Sequence, residues 1–499
     1  MQRREFLQKS FQYCSVAALA SQCPSLFAEP SQQDKFSMAL QNDPRLLGWQ
    51  GLKDDIKPHF SSWSGQLPQE LEGRTLFRNG PGRQERGGER YTHWFDGDGF
   101  INQFSLSKEG VTHQGKFTQT AKYTEETQAG RFLYHGAGSK VANPKGIKGP
   151  QSINTANTSL LPIQGELWAM WEAGTPYRVA QSDLATKGPV AFGADLQGVP
   201  FSAHPHHDAD RSIWNFGDVS FGEQAAMVLY HLSAQGAVKR YKLVALPHHS
   251  YIHDFTVTDK YLIFYLPPML RREGVTYMER FKWQASLGSR LLIIDKNDLS
   301  VVTTLELEAG FSFHFGNSWQ VGNELVINLC WYPDAAIMTD VMANIQTGQH
   351  AKSYQAAKAY QVRVDLTRNR TRTVVMDHHL EFVQFDKRFV SEPSRYQFGI
   401  TIENAKNNAE FDSIARIDTD TGLRDHFSFG QHASVEEPLF IAKAGHSQEG
   451  EGYLIHTWLD FKQAKTGLAV FDAKKISHGP LAMTQLPYYL PLGFHGAFV

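Results

Sequence analysis

Cysteine is almost missing from the body of this 499-residue chain: Cys14 and Cys23 fall near its start, and Cys330 stands alone beyond them. A single thiol closes no internal disulfide, so covalent staples are excluded as the basis of the fold. Cys330 lies in the apolar run Val326-Ile327-Asn328-Leu329-Cys330-Trp331, the setting of a buried strand residue. An excess of charge of either sign is also missing. The formal net charge is -2, which gives no reason to expect nucleic acid as a partner. No apolar stretch is long enough to span a bilayer, so the expectation is a soluble or membrane-peripheral protein. Long amphipathic helical patterns do not stand out either. What is abundant is glycine (41 residues) and aromatic side chains (12%), a mixture that favours short strands and tight turns. With 41% hydrophobic residues the chain has enough apolar surface for a large core.

The N-terminus reads as a leader. Arg3-Arg4 is followed, one residue on, by Phe6-Leu7, and a weakly apolar segment runs from Ser15 to Ala28. This resembles a twin-arginine export signal, with cleavage after Ala20 or Ala28. Residues 1–28 are therefore expected to be a signal peptide on an exported, periplasmic protein, and 29–499 a single domain.

A hairpin pattern recurs along the body: a strand, an Asp, a short polar turn, then a second strand. Its clearest copies end their first strand at Asp295, Asp365, Asp418 and Asp472. Less regular copies are Ile101 to Leu106 and Met227 to Leu232. A strand-rich unit recurring every ~50–70 residues indicates propeller blades, and roughly seven fit the body. The expected fold is all-β: a seven-bladed β-propeller with short helical insertions covering one face. In a propeller the last strand commonly completes the first blade. The apolar ending Gly493-Phe494-His495-Gly496-Ala497-Phe498-Val499 suits that task better than it suits a frayed tail.

Four of the 21 histidines stand in apolar or small-residue settings in phase with this repeat: His204, His253, His314 and His495. Each can begin the innermost strand of a different blade, and all four would then converge on the axis. Singly, each is more often a core or surface residue. Together they predict a metal site, and imidazole suits zinc, copper, iron and nickel. An octahedral metal on four His keeps two positions open. Their neighbours His206, His207, His248 and His249 read as loop residues. Ligand His normally donate the second ring N–H to a carboxylate or carbonyl. Glu172, Glu381 and Glu437 lie in apolar strand settings that ask for such a partner.

Several segments together resemble the carotenoid cleavage oxygenase family: Phe77-Arg78-Asn79-Gly80-Pro81, His93 to Gly99, Asn154 to Thr158, Leu167 to Gly174, Ala203-His204-Pro205, Ile252-His253-Asp254-Phe255, Glu437-Pro438 and Gly493-Phe494-His495-Gly496. The resemblance runs along nearly the whole body. It implies a seven-bladed propeller holding one ferrous ion, Fe(2+), on its axis through His204, His253, His314 and His495. Glu172, Glu381 and Glu437 would orient the ligands. It further implies dioxygen as co-substrate, no organic cofactor, and cleavage of a conjugated C=C bond into two carbonyl products. An apolar tunnel would select the bond, and Trp171 and Phe313 are candidates to line it; core packing is the other reading of both. The leading substrate is a carotenoid or apocarotenoid, and the runner-up is a stilbenoid. A non-catalytic propeller with a structural metal and an apolar ligand is the third reading.

Two stretches fit less well. After the third His the family carries Asn-Ala-aromatic-Glu two residues on, whereas here Asn317-Ser318-Trp319-Gln320 keeps the Asn and replaces the acid. This predicts a local difference in packing and pocket shape. Residues 267–287 fit no strand repeat and mix apolar with basic side chains. They read either as an apolar patch in peripheral contact with a membrane, as the family resemblance implies, or as a packed surface helix.

Overall fold

The computed structural model describes residues 30–220, 224–349, 354–403 and 411–499; the signal peptide expected at 1–28 lies outside them. Seven antiparallel sheets, each of four strands or more, form seven blades. We number the blades in chain order. Blade 2 opens with Ser159–Ile163, blade 3 with His206–His207, blade 4 with Phe255–Val257, blade 5 with Phe315–Val321 and blade 6 with Glu381–Gln384. In each, that first strand forms one edge of its sheet and the chain then meanders outwards. Blade 7 has a broken first strand, Ala433–Val435 and Leu439–Ala442, both paired with Gly452–Asp460.

The recurrent hairpin is the step from third to fourth strand. Ser289–Asp295, Lys358–Asp365, Ser413–Asp418 and Lys465–Asp472 are the third strands of blades 4 to 7. The Asp recurs for a local reason: its carboxylate accepts N–H groups of the turn that follows. Asp295 accepts from Asn297, Asp365 from Thr367 and Arg368, Asp418 from Asp420, and Asp472 from Lys474, all at 2.7–3.1 Å. These strands read as continuous apolar runs because both their faces are covered. Leu291, Leu292, Ile293 and Ile294 are all buried; Leu292 and Ile294 pack towards blade 3, Leu291 and Ile293 towards blade 5.

Blades 1 and 7 exchange strands. Thr75–Arg83 of blade 1 takes Gly496–Phe498 as its inner neighbour, with Phe77 opposite Ala497. At the other end, Ser64–Gly65 from the N-terminal side adds to the outer strand Ala482–Gln485 of blade 7. The tail runs so close to blade 1 that a Cβ at Gly80 would stand 2.4 Å from the Cα of Gly493. Helical insertions cover one face: Gln32–Asn42 and Met342–Gln346 meet through Phe36 and Ile345 on Trp49.

Residues 267–287 are not a helix. They form a two-stranded hairpin, Met269–Arg271 with Phe281–Trp283. Met269 and Phe281 are buried, and Tyr277, Met278 and Trp283 pack inwards on the same apolar cluster. Of its large apolar side chains only Val275 and Leu287 are exposed, beside Arg271, Arg272 and Lys282. The apolar half of the mixed pattern thus serves the interior. No helix among the described residues is long and apolar enough to cross a membrane. Cys330 is a buried, free thiol in Glu324–Trp331.

Candidate metal centre

Each of the four His immediately precedes an inner strand, or stands two residues before one. His204 leads into blade 3, His253 into blade 4, His314 into blade 5 and His495 into the strand that closes blade 1. An inner strand begins near the axis, so the residue before it points into the centre of the ring. One ligand atom from each ring can be chosen so that all four lie within 4.8 Å of one another. His314 Nε2 and His495 Nε2 are 3.2 Å apart. His206 and His207, expected in a loop, form the short inner strand of blade 3 instead; His206 Nε2 bonds Asp254 Oδ1 at 2.7 Å. His248 and His249 do lie in a loop.

Three carboxylates hold three of the rings by Nδ1. Glu172 engages His253, Glu381 engages His314 at 2.5 Å, and Glu437 engages His495 at 2.9 Å. Nδ1–H donating outwards leaves Nε2 as a lone pair facing inwards. His204 differs. No carboxylate bonds its ring among the described residues, and its buried Nε2 has no hydrogen-bond partner. Burial and the neighbouring His253 ring push His204 well below the usual imidazole range, and burial and His314 do the same to His495. Burial also works against the charged form of His314, but the Glu381 carboxylate outweighs it and raises that ring. Imidazoles whose ring nitrogens converge, one of them buried without a hydrogen-bond partner, suit a divalent transition metal.

The supports differ in how they are themselves held. Glu437 and Glu381 are buried, whereas Glu172 is partly open to the cavity. Arg78, itself buried, reaches Glu437 Oε2 at 3.4 Å and donates to the Glu437 carbonyl at 2.8 Å. Burial lifts the Glu437 carboxyl, and Arg78 counters part of that. Tyr251 donates its hydroxyl to Glu172 at 2.7 Å and lies 3.0 Å from His253 Nδ1. Its role had a sequence signal: residues two apart in an extended segment share a face. Phe382 had none. It adopts φ 49°, rare for a bulky residue, and lays its ring 5.0 Å from His314 and 5.1 Å from His495. The strand carrying Glu381 shifts register between Glu381 and Gln384, an irregularity of the kind that re-aims side chains beside a site.

A cavity of about 590 Å³ adjoins the centre and is walled by His253, His314 and His495 together with Phe95, Trp171, Phe313 and Phe382. Trp171 and Phe313, the two tunnel candidates, are thus both on its wall, and the Phe313 ring is 4.8 Å from His253. Exposed Ile147, Lys148 and Arg280 mark its mouth; buried Trp49, Ile400, Ser434, Val435 and Leu492 lie deeper. Gln320 is not on the wall: it lies near the far end of its strand and donates to the Gly322 carbonyl at 2.7 Å. The position where the family carries an acid thus lies away from the cavity wall. Asn317 keeps a buried role, donating to the Phe389 and Glu392 carbonyls.

Comparison with known proteins agrees with this architecture. Residues 53–499 match the family model "Retinal pigment epithelial membrane protein", RPE65. Apocarotenoid-15,15'-oxygenase of Synechocystis is 28% identical, over 91% of this chain and 95% of that protein. Isoeugenol monooxygenase of Pseudomonas nitroreducens is 26% identical, over 92% and 98%. The crystal structure of cobalt-substituted Synechocystis apocarotenoid oxygenase superposes with a TM-score of 0.83 at 25% identity, covering 92% of this chain and 99% of that one.

Proposed function

Since the chain belongs to the family of RPE65 and the carotenoid cleavage oxygenases, we propose that it is a non-haem iron dioxygenase that cleaves a conjugated C=C bond of a carotenoid or apocarotenoid. The observation that carries the reading is the convergence of His204, His253, His314 and His495, the last three of them on the wall of an apolar cavity. Ferrous iron, held by these imidazoles, would supply the activation of dioxygen. Both oxygen atoms end in product: the C=C bond breaks and two C=O bonds form.

The chain's own residues then have positioning tasks. Glu172, Glu381 and Glu437 fix ring orientation and tautomer. Phe95, Phe313 and Phe382 crowd the centre and keep water from it. Trp171 and the deeper apolar wall hold a long polyene in register, so geometry decides which bond meets the metal. A second reading, cleavage of a stilbenoid or phenylpropenoid side chain, is favoured by the similarity to isoeugenol monooxygenase.

Metal analysis with oxygen uptake, followed by product masses from labelled dioxygen and a panel of carotenoids, apocarotenals and stilbenes, tests the proposal. Stoichiometric iron and two labelled carbonyl products from a polyene are expected, with both metal and turnover lost in His253→Ala. Turnover of stilbenes alone would select the second reading, and a metal-loaded protein that consumes no oxygen would defeat both. We also propose export through the Arg3-Arg4 leader. A reporter fused to residues 1–28 should reach the periplasm, and replacing both Arg by Lys should retain it inside; export of the Lys-Lys form would refute the assignment.

A further inference from the structure

The deep end of the cavity carries two polar groups that the chemistry above does not use. Ser434 and Trp49 both line the cavity and are both buried. Neither Ser434 Oγ nor Trp49 Nε1 has a hydrogen-bond partner in the protein. The two are neighbours through Leu459: Ser434 is its register partner across the blade 7 sheet, and Trp49 packs with it in one apolar cluster. Buried donors are rarely left unpaired, and exceptions call for a partner from outside.

The chemistry of that partner follows from the donors. An indole N–H only donates, so the partner must present an acceptor. Nearby charge is already spoken for: Glu436 accepts from Gly493 N–H and from the Thr457 hydroxyl, and Arg78 sits between Glu436 and Glu437. Arg90, which donates to the Trp49 carbonyl, is paired with Glu85, so among the described residues no free cation stands at this end; a neutral oxygen fits and a carboxylate does not. Ser434 and Trp49 share the cavity wall with three of the His rings and bond none of them, which suits the end of a polyene better than a phenol adjoining the reacting bond.

We propose that Ser434 and Trp49 form a subsite for a neutral terminal oxygen, a hydroxyl or an aldehyde, of a linear polyene lying across the metal centre. The proposal rests on the polyene-cleavage reading and narrows its substrate to an oxygen-terminated apocarotenoid.

The test compares an apocarotenal with the same polyene ending in a methyl group. Binding is measured anaerobically to the iron-loaded protein by quenching of tryptophan fluorescence, and cleavage under air. The wild type should prefer the aldehyde by about tenfold or more in Kd, because a site built for a hydrogen bond rejects the analogue that lacks it. Ser434→Ala and Trp49→Phe, tested separately, should each lower that preference several-fold. Equal affinities in the wild type, or an unchanged preference in whichever variants fold, would overturn the subsite. Selective binding without cleavage under air would instead leave the subsite standing and remove the cleavage reading.

Discussion

Glu172 and Glu437 touch equivalent atoms of two rings, yet their replacement should have different consequences. Glu437 is buried against Arg78, and Glu437→Gln removes the nearer of the two carboxylates that hold that guanidinium, leaving Glu436 at 3.7 Å. Breaking a buried pair costs about 3–5 kcal/mol. Glu172 is partly open and its other contact is a neutral hydroxyl. Glu172→Gln should weaken metal binding by about 10–100-fold with little change in thermal midpoint. Glu437→Gln should lower both, and equal thermal midpoints for the two variants would contradict this account. All seven residues singled out as ligands or supports could be found from the sequence, because a polar side chain in an apolar strand needs a partner. Phe382 and Arg78 could not be assigned a role that way. Hydrophobicity fits Phe382 to any core, and the task of Arg78 depends on a carboxylate more than three hundred residues away.

Among the elements, the closing strand Gly496–Phe498 joins fold and site. Removing Phe494 to Val499 deletes one candidate ligand, the inner strand of blade 1, the ring contacts of Phe494 with Trp94 and Phe95 and the packing of Ala497. Metal should be lost together with on the order of 3–5 kcal/mol of stability, the range for deleting a large buried side chain. His495→Ala should lose metal while keeping most of that stability. Chelator-treated samples of both, compared by denaturant unfolding, separate the two effects; equal midpoints would mean that the strand adds nothing beyond the ligand. The repeat was readable where an Asp closes each third strand, since the turn chemistry is local. Blade 2 escaped notice because its third strand, Tyr177–Ala180, ends without that Asp. The hairpin at 269–283 escaped because three-residue strands are too short to show a period.

For the molecule as a whole, the propeller and its closure were legible, since seven units and an apolar tail leave few other arrangements. Its response to acid was not, because burial of particular imidazoles depends on tertiary packing. Burial pushes His456 down to about 3, and burial aided by His59 does the same to His113. The unfolded chain takes up protons near the ordinary imidazole value of about 6.5 and the folded one does not. Stability is therefore full above that pH and falls as pH drops towards 3, by about 1.4 kcal/mol per pH unit for each ring. Thermal midpoints between pH 7 and 4 should decline less steeply in His456→Phe than in the wild type; parallel curves would rule out this origin. The exchange of strands between the first and last blades has one more consequence, and it concerns time. Blade 1 begins with Ile56–Ser62 and is finished only by Gly496–Phe498. A nascent chain emerging from the ribosome cannot complete its first blade until every other blade has been translated, and the three earlier histidines wait with it. On the proposed metal reading, a product terminated before Gly493 would hold three of the four candidate ligands in an open ring.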